Sequence, residues 1–170
     1  MEHCGLGAEL SPLSSPPYVV RTYEARDWPQ VWDLHEQGLR DTAAWHPDPR
    51  FNDDLLHIES AYLGEGSHFW VIEEDDRLVG MVAVRRIDAA TAELKRMRVA
   101  RDRRRMGMGQ ALLELAEDFC RAQRYGRIAL NTTDRQWAAQ ELYRKNGYRQ
   151  TRERQLGDLM VLYFEKELAS

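Results

Sequence analysis

The stretch from Glu93 to Gly109, E-L-K-R-M-R-V-A-R-D-R-R-R-M-G-M-G, constrains this chain more than any other. A strand-like segment leads into an arginine cluster, then two glycines, then a helix. From Met108 the apolar residues Ala111, Leu112, Leu115, Ala116, Phe119 and Ala122 recur at helical spacing. Glu114, Glu117, Asp118 and Arg121 then fall on the opposite face. The glycines therefore open a long core-facing helix, whose first N–H groups have no internal acceptor and point at an anion. Gly107 and Gly109 lack Cβ atoms, so a ligand can approach the main chain and the turn can take unusual dihedrals. Arg103, Arg104 and Arg105 add positive charge beside them. Taken alone, these features fit an ordinary turn with solvated arginines as well as a site for a phosphorylated ligand.

A second pattern narrows the choice. Arg104, Gly107 and Gly109 form R-x-x-G-x-G/A, and about one helix and one strand later comes Ala139-Gln140-Glu141-Leu142-Tyr143-Arg144-Lys145-Asn146-Gly147-Tyr148. The pair R-x-x-G-x-G/A and A-x-x-L-Y-x-x-x-G-[FY] at this distance resembles the Gcn5-related N-acetyltransferase (GNAT) superfamily. The resemblance covers Glu93 to Tyr148 and specifies a superfamily, not a substrate.

Composition bounds the remaining possibilities. A chain of 170 residues, 43% of them hydrophobic, can bury one substantial core. Residues 18–168 are expected as a single domain behind a loose tail over 1–17, a segment with Gly, Ser and Pro but no periodicity. No apolar run approaches a membrane span, and no basic, apolar leader stands at the N-terminus. Cys4 and Cys120 make no disulfide framework, so a cytoplasmic, reduced protein is expected. The net charge of −4 makes the run from Arg101 to Arg105 a local exception. Local positive charge on an acidic protein suits a small polyanion better than a nucleic acid. Neither a nucleic acid nor a membrane is expected as a partner.

The pattern predicts a first strand over Tyr18–Tyr23 and a helix capped by Asp27, with Val31, Leu34, His35 and Gly38 on its buried side. A loop over Asp41–Arg50 precedes a second helix over Asn52–Leu63. Strands follow at Ser67–Glu73, Leu78–Arg86 and Glu93–Val99, the last with poor alternation. After the helix from Met108, a strand at Arg127–Thr132 leads to a helix with capping-box spacing between Thr133 and Gln136 and with Gly147 at its C-terminal stop. Strands at Tyr148–Arg152 and Leu159–Lys166 complete the order β-α-α-β-β-β-α-β-α-β-β. That order matches the GNAT arrangement and predicts an α/β fold, a mixed sheet flanked by helices. The resemblance implies that the central strand and its successor splay apart, and a bulge in Glu93–Val99 is compatible with it.

The resemblance also implies roles. Acetyl-CoA would be the acyl donor, with backbone amides of Arg104, Arg105, Met106, Gly107, Met108, Gly109 and Gln110 around its pyrophosphate. The backbone of Met97, Arg98 and Val99 would pair with its pantetheine arm. An amine is mostly ammonium at neutral pH and cannot attack a thioester until it loses a proton, and the departing thiolate should gain one. Glu93 stands where many GNAT enzymes carry a catalytic carboxylate, or it pairs with Arg96, Arg98 or another arginine. Tyr143 stands where the general acid beside the sulfur is often found, or it packs at the sheet edge.

Gln136 departs from the family pattern, which has Asn there. It is either a cofactor contact or a partner of Thr133. Asn131 is a second polar candidate, near cofactor or acceptor, unless it closes a strand end. In the family the acceptor site is usually lined by the loop between the first two helices and the last hairpin, here with Trp45, His46, Glu153 and Asp158. His35, His57 and His68 have no metal-ligand spacing, and the chemistry needs no metal. The expected acceptor is a small-molecule primary amine, with protein or peptide acetylation as the enzyme alternative and a non-catalytic acyl-CoA sensor as the other. A homodimer is compatible with the superfamily, although the chain carries no dimer-specific signal.

Overall fold

The computed structural model describes residues 18–169. The loose tail expected over 1–17, and Cys4 with it, lies outside the described residues. Seven strands form one mixed sheet in the order β1-β2-β3-β4-β5-β7-β6. They are β1 Val19–Thr22, β2 His68–Glu74, β3 Arg77–Arg86, β4 Thr91–Val99, β5 Arg127–Thr133, β6 Arg149–Leu156 and β7 Leu159–Glu167. The helices are α1 Trp28–Asp41, α2 Ile58–Tyr62, α3 Met108–Ala122 and α4 Trp137–Lys145. No described helix is long and apolar enough to cross a membrane.

Helices cover both faces. Gly80 of β3 faces Met108 of α3, whereas Arg98, paired in register with the next residue Met81, lies against Gly38 of α1. Successive strand positions point to opposite faces, so α1 and α3 sandwich the sheet. Phe69, Val71, Met81, Val84, Leu112, Leu113, Ile128 and Phe164 are among the fully buried residues between these layers.

Two irregularities shape the centre. Between Ala83↔Lys95 and Met81↔Arg98 the β3 strand advances two residues while β4 advances three. The extra residue is a β-bulge, and Arg96 within it has φ +56°, a left-handed conformation unusual for a residue with a side chain. Beyond it, β4 and β5 pair in parallel only at Thr91↔Arg127, Ala92↔Ile128 and Glu93↔Ala129. Past Glu93 the two strands separate, which leaves one edge of β4 without a neighbour. Both the bulge and the splay match the arrangement implied by the resemblance.

Several local expectations are corrected. The second helix divides into a 3-10 stretch, Pro49–Leu56, and the short α2, because His57 leaves the helical region with φ −142°. Asp27 does not cap α1 with its side chain. Its buried carboxylate instead takes both guanidinium Nη groups of Arg21 at 2.7 Å and the Glu24 N–H at 2.8 Å. Helix α3 is also rotated from its predicted face. Leu113 and Glu117 are buried, whereas Ala111 and Ala122 are exposed. A carboxylate reads as surface in a sequence pattern, but Glu117 is satisfied internally by the Tyr148 hydroxyl at 3.1 Å and Lys166 Nζ at 3.0 Å.

Candidate active site

The gap between β4 and β5 opens into a cavity of 1140 Å³. Among the residues singled out from the sequence, Glu93, Met97, Arg98, Val99, Arg104, Arg105, Gly109, Asn131, Gln136 and Tyr143 line it. Residues far apart in the chain are thus brought to one place. Met106, Gly107, Met108 and Gln110 do not line it. Met106 is exposed at the loop tip, Met108 is buried in the core, and Gln110 exchanges amide hydrogen bonds with Asn146 at 2.8 and 2.9 Å.

The glycine turn has the geometry of an anion cradle. Gly107 takes φ +82° as the residue before α3, and a Cβ built there meets no heavy atom within 4 Å. The space beside it is therefore open, and the backbone conformation is one that glycine adopts without strain. Gly109 is different: it needs no left-handed dihedral, and a Cβ would touch Leu142 at an ordinary 3.6 Å. The first helical bond at this end runs from Ala111 N–H to Gly107 O at 3.1 Å. Met108, Gly109 and Gln110 therefore keep N–H groups with no intrahelical acceptor. These features fit a pyrophosphate.

The arginine cluster is less available than its sequence implies. Arg101 and Arg104 share the Asp41 carboxylate at the end of α1, with Arg104 at 3.0 Å. Arg103 holds Glu74 through Nε at 3.0 Å. Only Arg105 of the five cluster positions, which include Asp102, is an arginine without an ion pair among the described residues. Apart from Asp102, 3.0 Å from Arg103, the acids that neutralise the others come from α1 and β2, so a local sequence reading could not find them.

Tyr143 is buried on α4 and packs edge-on against Tyr148 at 5.7 Å between ring centroids. Burial pushes its hydroxyl pKa up to about 12, and the nearby Arg98 guanidinium pulls in the other direction. The hydroxyl keeps its proton at neutral pH. Among the described residues Arg98 itself has no carboxylate partner. Its Nη1 donates to Met97 O at 2.8 Å, its Nη2 reaches His35 Nδ1 at 3.4 Å, and its buried Nε has no hydrogen-bond partner among the described residues. Burial lowers its pKa to about 10.

Glu93 is paired, but not with the arginines nearest in sequence. Arg85 of the neighbouring strand donates to it at 2.8 Å, and Lys95 Nζ stands 4.0 Å away. Arg96 instead engages Asp54 through Nε at 2.9 Å, a pair whose side chains are each 10% exposed. Burial alone would raise the Asp54 pKa, but the Arg96 hydrogen bond and charge hold it at about 2. The Tyr62 hydroxyl also binds this carboxylate. The pair ties the 3-10 stretch to the bulge and so fixes one wall of the cavity.

The remaining expectations divide. Gln136 Oε1 accepts from Thr132 Oγ1 at 2.9 Å, Thr133 N–H at 3.1 Å and Thr133 Oγ1 at 3.2 Å. It therefore clamps the end of β5, and helix α4 begins at Trp137, three residues later than a cap at Thr133 requires. Asn131 closes no strand end; its exposed side chain makes no hydrogen bond among the described residues. His46 lines the cavity, with Nδ1 accepting from Asp48 N–H at 3.1 Å. Trp45, Glu153 and Asp158 do not line it. Trp45 packs against Trp32 and His35, with Arg40 over its ring at 4.8 Å. Lys95, Arg85 and Asp54 were missed as cavity residues; the signal was the alternation of Glu93 and Lys95 along one strand face.

Residues 22–148 match the model of the acetyltransferase (GNAT) family. The chain is 32% identical over 130 residues to human (Homo sapiens) N-acetyltransferase 8, covering 73% of this chain and 56% of that protein. It is 35% identical over 108 residues to N-acetylaspartate synthetase of Danio rerio, covering 62% of this chain and 38% of that protein. The chain thus spans about half the length, or less, of these relatives. An acetyltransferase structure from Streptococcus agalactiae superposes with a TM-score of 0.80 at 25% identity, over 89% of this chain and 99% of that one. An acetyltransferase from Salmonella typhimurium, solved with its cofactor acetyl-CoA, gives 0.71 at 18% identity, over 91% and 95%. With the family model spanning most of the sheet and both motif-bearing helices, the chain belongs to the acetyltransferase (GNAT) family.

Proposed function

We propose that this chain transfers an acetyl group from acetyl-CoA to a primary amine of a small molecule, by direct attack in a ternary complex. The observation that carries this reading is the convergence of Glu93, the free edge of β4 and the Tyr143 hydroxyl on one cavity. The open space beside Gly107 and the unpaired amides of Met108, Gly109 and Gln110 fit the donor's pyrophosphate, with Arg105 as a cation. The backbone from Met97 to Val99 has lost its β5 neighbour, so an extended pantetheine arm can take that place. The family's acetyl-CoA-bound member supports the donor, and the relative named N-acetylaspartate synthetase supports a small acceptor.

Three tasks fall to the chain's own groups. Glu93 receives the proton of the incoming ammonium, directly or through water, which frees the nitrogen lone pair for attack on the thioester carbonyl. Backbone N–H groups near the bulge stabilise the oxygen as it gains charge. Tyr143 gives its proton to the sulfur as the carbon–sulfur bond breaks. The attacking nitrogen sheds its second proton to solvent as the intermediate collapses, and the phenolate left on Tyr143 lies near Arg98, which stabilises it until solvent restores its proton.

Release of the coenzyme A thiol from acetyl-CoA across amino acids, polyamines, aminoglycosides, arylamines and short peptides tests the reading. Acceptor-dependent release with an acetylated product of the correct mass is expected. Saturable acetyl-CoA binding without acetylation of any acceptor would favour a sensor, and peptides outperforming every small amine would favour a protein substrate.

A further inference from the structure

We propose that the amine acceptor is a free α-amino acid, or a close derivative that keeps its α-carboxylate, and that Lys95 holds that carboxylate beside Glu93. This inference rests on the acetyltransferase reading and names the acceptor class of that site.

The argument begins with unsatisfied charge. Glu93 and Lys95 are two apart on β4, share one face of the strand and both line the cavity. Their charged atoms stand 4.0 Å apart, beyond a hydrogen bond. Glu93 already accepts from Arg85 at 2.8 Å, and Asp54 is occupied by Arg96 and Tyr62. Lys95 Nζ is left without a hydrogen bond among the described residues, although its side chain is only 21% exposed. Its one ion-pair partner among the described residues, Glu93, stands 4.0 Å away and is already held by Arg85, so an incoming carboxylate would supply the hydrogen bond that the half-buried ammonium lacks. Burial lowers the Lys95 pKa, as do the charges of Arg96 and Arg85, while Asp54 and Glu93 oppose them.

The charge balance of this wall decides between acceptor classes. Arg50, Arg85, Lys95, Arg96, Arg98, Arg104, Arg105 and Arg154 line the cavity, against three carboxylates, Asp53, Asp54 and Glu93. A simple amine or polyamine arrives as a cation and meets a surplus of its own sign. An amino acid arrives as a zwitterion. Its ammonium suits Glu93, its carboxylate suits Lys95, and the side-by-side spacing of these groups matches an amine and a carboxylate carried on one carbon. Arg98 adds positive potential from the same cavity, with no carboxylate partner among the described residues.

The test compares free L-amino acids with their α-amides and with the corresponding decarboxylated amines, by catalytic efficiency in thiol release. Acids are expected to exceed their amides roughly 10- to 100-fold, the range of one charged hydrogen bond. Lys95→Met should bring that ratio close to one, and Lys95→Arg should restore part of it. Amides that match the acids in the wild type, or a Lys95→Met protein that keeps the wild-type ratio, overturn the inference. Lys95→Met and Lys95→Arg lowering both series equally also overturn it, because lysine would then be acting as a base. Calorimetric titration of the same acids and amides into the coenzyme A complex separates this from the transferase reading. Acid-selective binding that Lys95→Met abolishes supports the inference even without turnover. No acid-selective binding and no acid-selective turnover refute it.

Discussion

Arg98 occupies the space that a side chain on Gly38 would need. A Cβ at Gly38 would lie 2.7 Å from Arg98 Cδ and 3.2 Å from its Nε. The glycine in the middle of α1 is therefore a packing requirement, in spite of its cost to the helix. Gly38→Ala should lose about 1–3 kcal/mol to overpacking, offset by about 1 kcal/mol of helix propensity. Denaturant unfolding of Gly38→Ala, Arg98→Ala and the double variant measures it. Additive effects would show that the two residues do not meet.

Tyr143→Phe removes the hydroxyl that holds its proton at neutral pH and should lower kcat roughly 10²–10⁴-fold. The affinity for acetyl-CoA should change little, since the ring and its packing on Tyr148 remain. Glu93→Gln, which removes the proposed proton acceptor, should lower kcat over the same range. Wild-type rates and profiles in both variants would show that protons move by another route.

Gly107→Val tests the cradle. At φ +82° a branched side chain is strained by about 1–2 kcal/mol, and it fills the open space beside the free amides. The protein should still fold, with acetyl-CoA binding strongly weakened in a titration. A folded variant with unchanged affinity would remove the pyrophosphate from this turn.

His35 couples stability to pH. It is fully buried, its Nε2 is 2.7 Å from Asn52 Oδ1, and Arg98 faces its Nδ1. Burial and the charges of Arg98 and Arg96 lower its pKa to about 3, against the opposing Asn52 hydrogen bond and Asp54 charge. Between that value and the unfolded pKa of about 6.5 the unfolded chain binds more protons. Its stabilising contribution is thus complete above about pH 6.5 and falls with pH at up to about 1.4 kcal/mol per unit. Replacing it by Gln should flatten that slope in unfolding experiments between pH 6.5 and 4.

Asp54→Asn should destabilise by about 3–5 kcal/mol, because it strands the Arg96 charge in a nearly buried position. Thermal unfolding checks this, and a loss near zero would mean that the bulge stands without the pair.

How much of this was legible in advance follows from the range of each interaction. The glycine turn, the helix after it and the A-x-x-L-Y pattern are local, so spacing alone located the turn before α3 and the helix that carries Tyr143. Periodicity likewise gave the number and order of strands. The face of α3 was misjudged because Glu117 is buried only by virtue of Tyr148 and Lys166, distant partners invisible to a helical pattern. The charged wall of the cavity was illegible for the same reason. Arg85 reaches Glu93 across strands, Arg96 reaches 42 residues back to Asp54, and Asp41 neutralises arginines 60 residues further on. The sequence by itself determined where a helix opens with free amides behind a glycine turn, since that depends on glycine dihedrals and a helix start. Only the tertiary structure decided which charges remain free to meet a substrate, since pairing between charges depends on distances that folding alone creates.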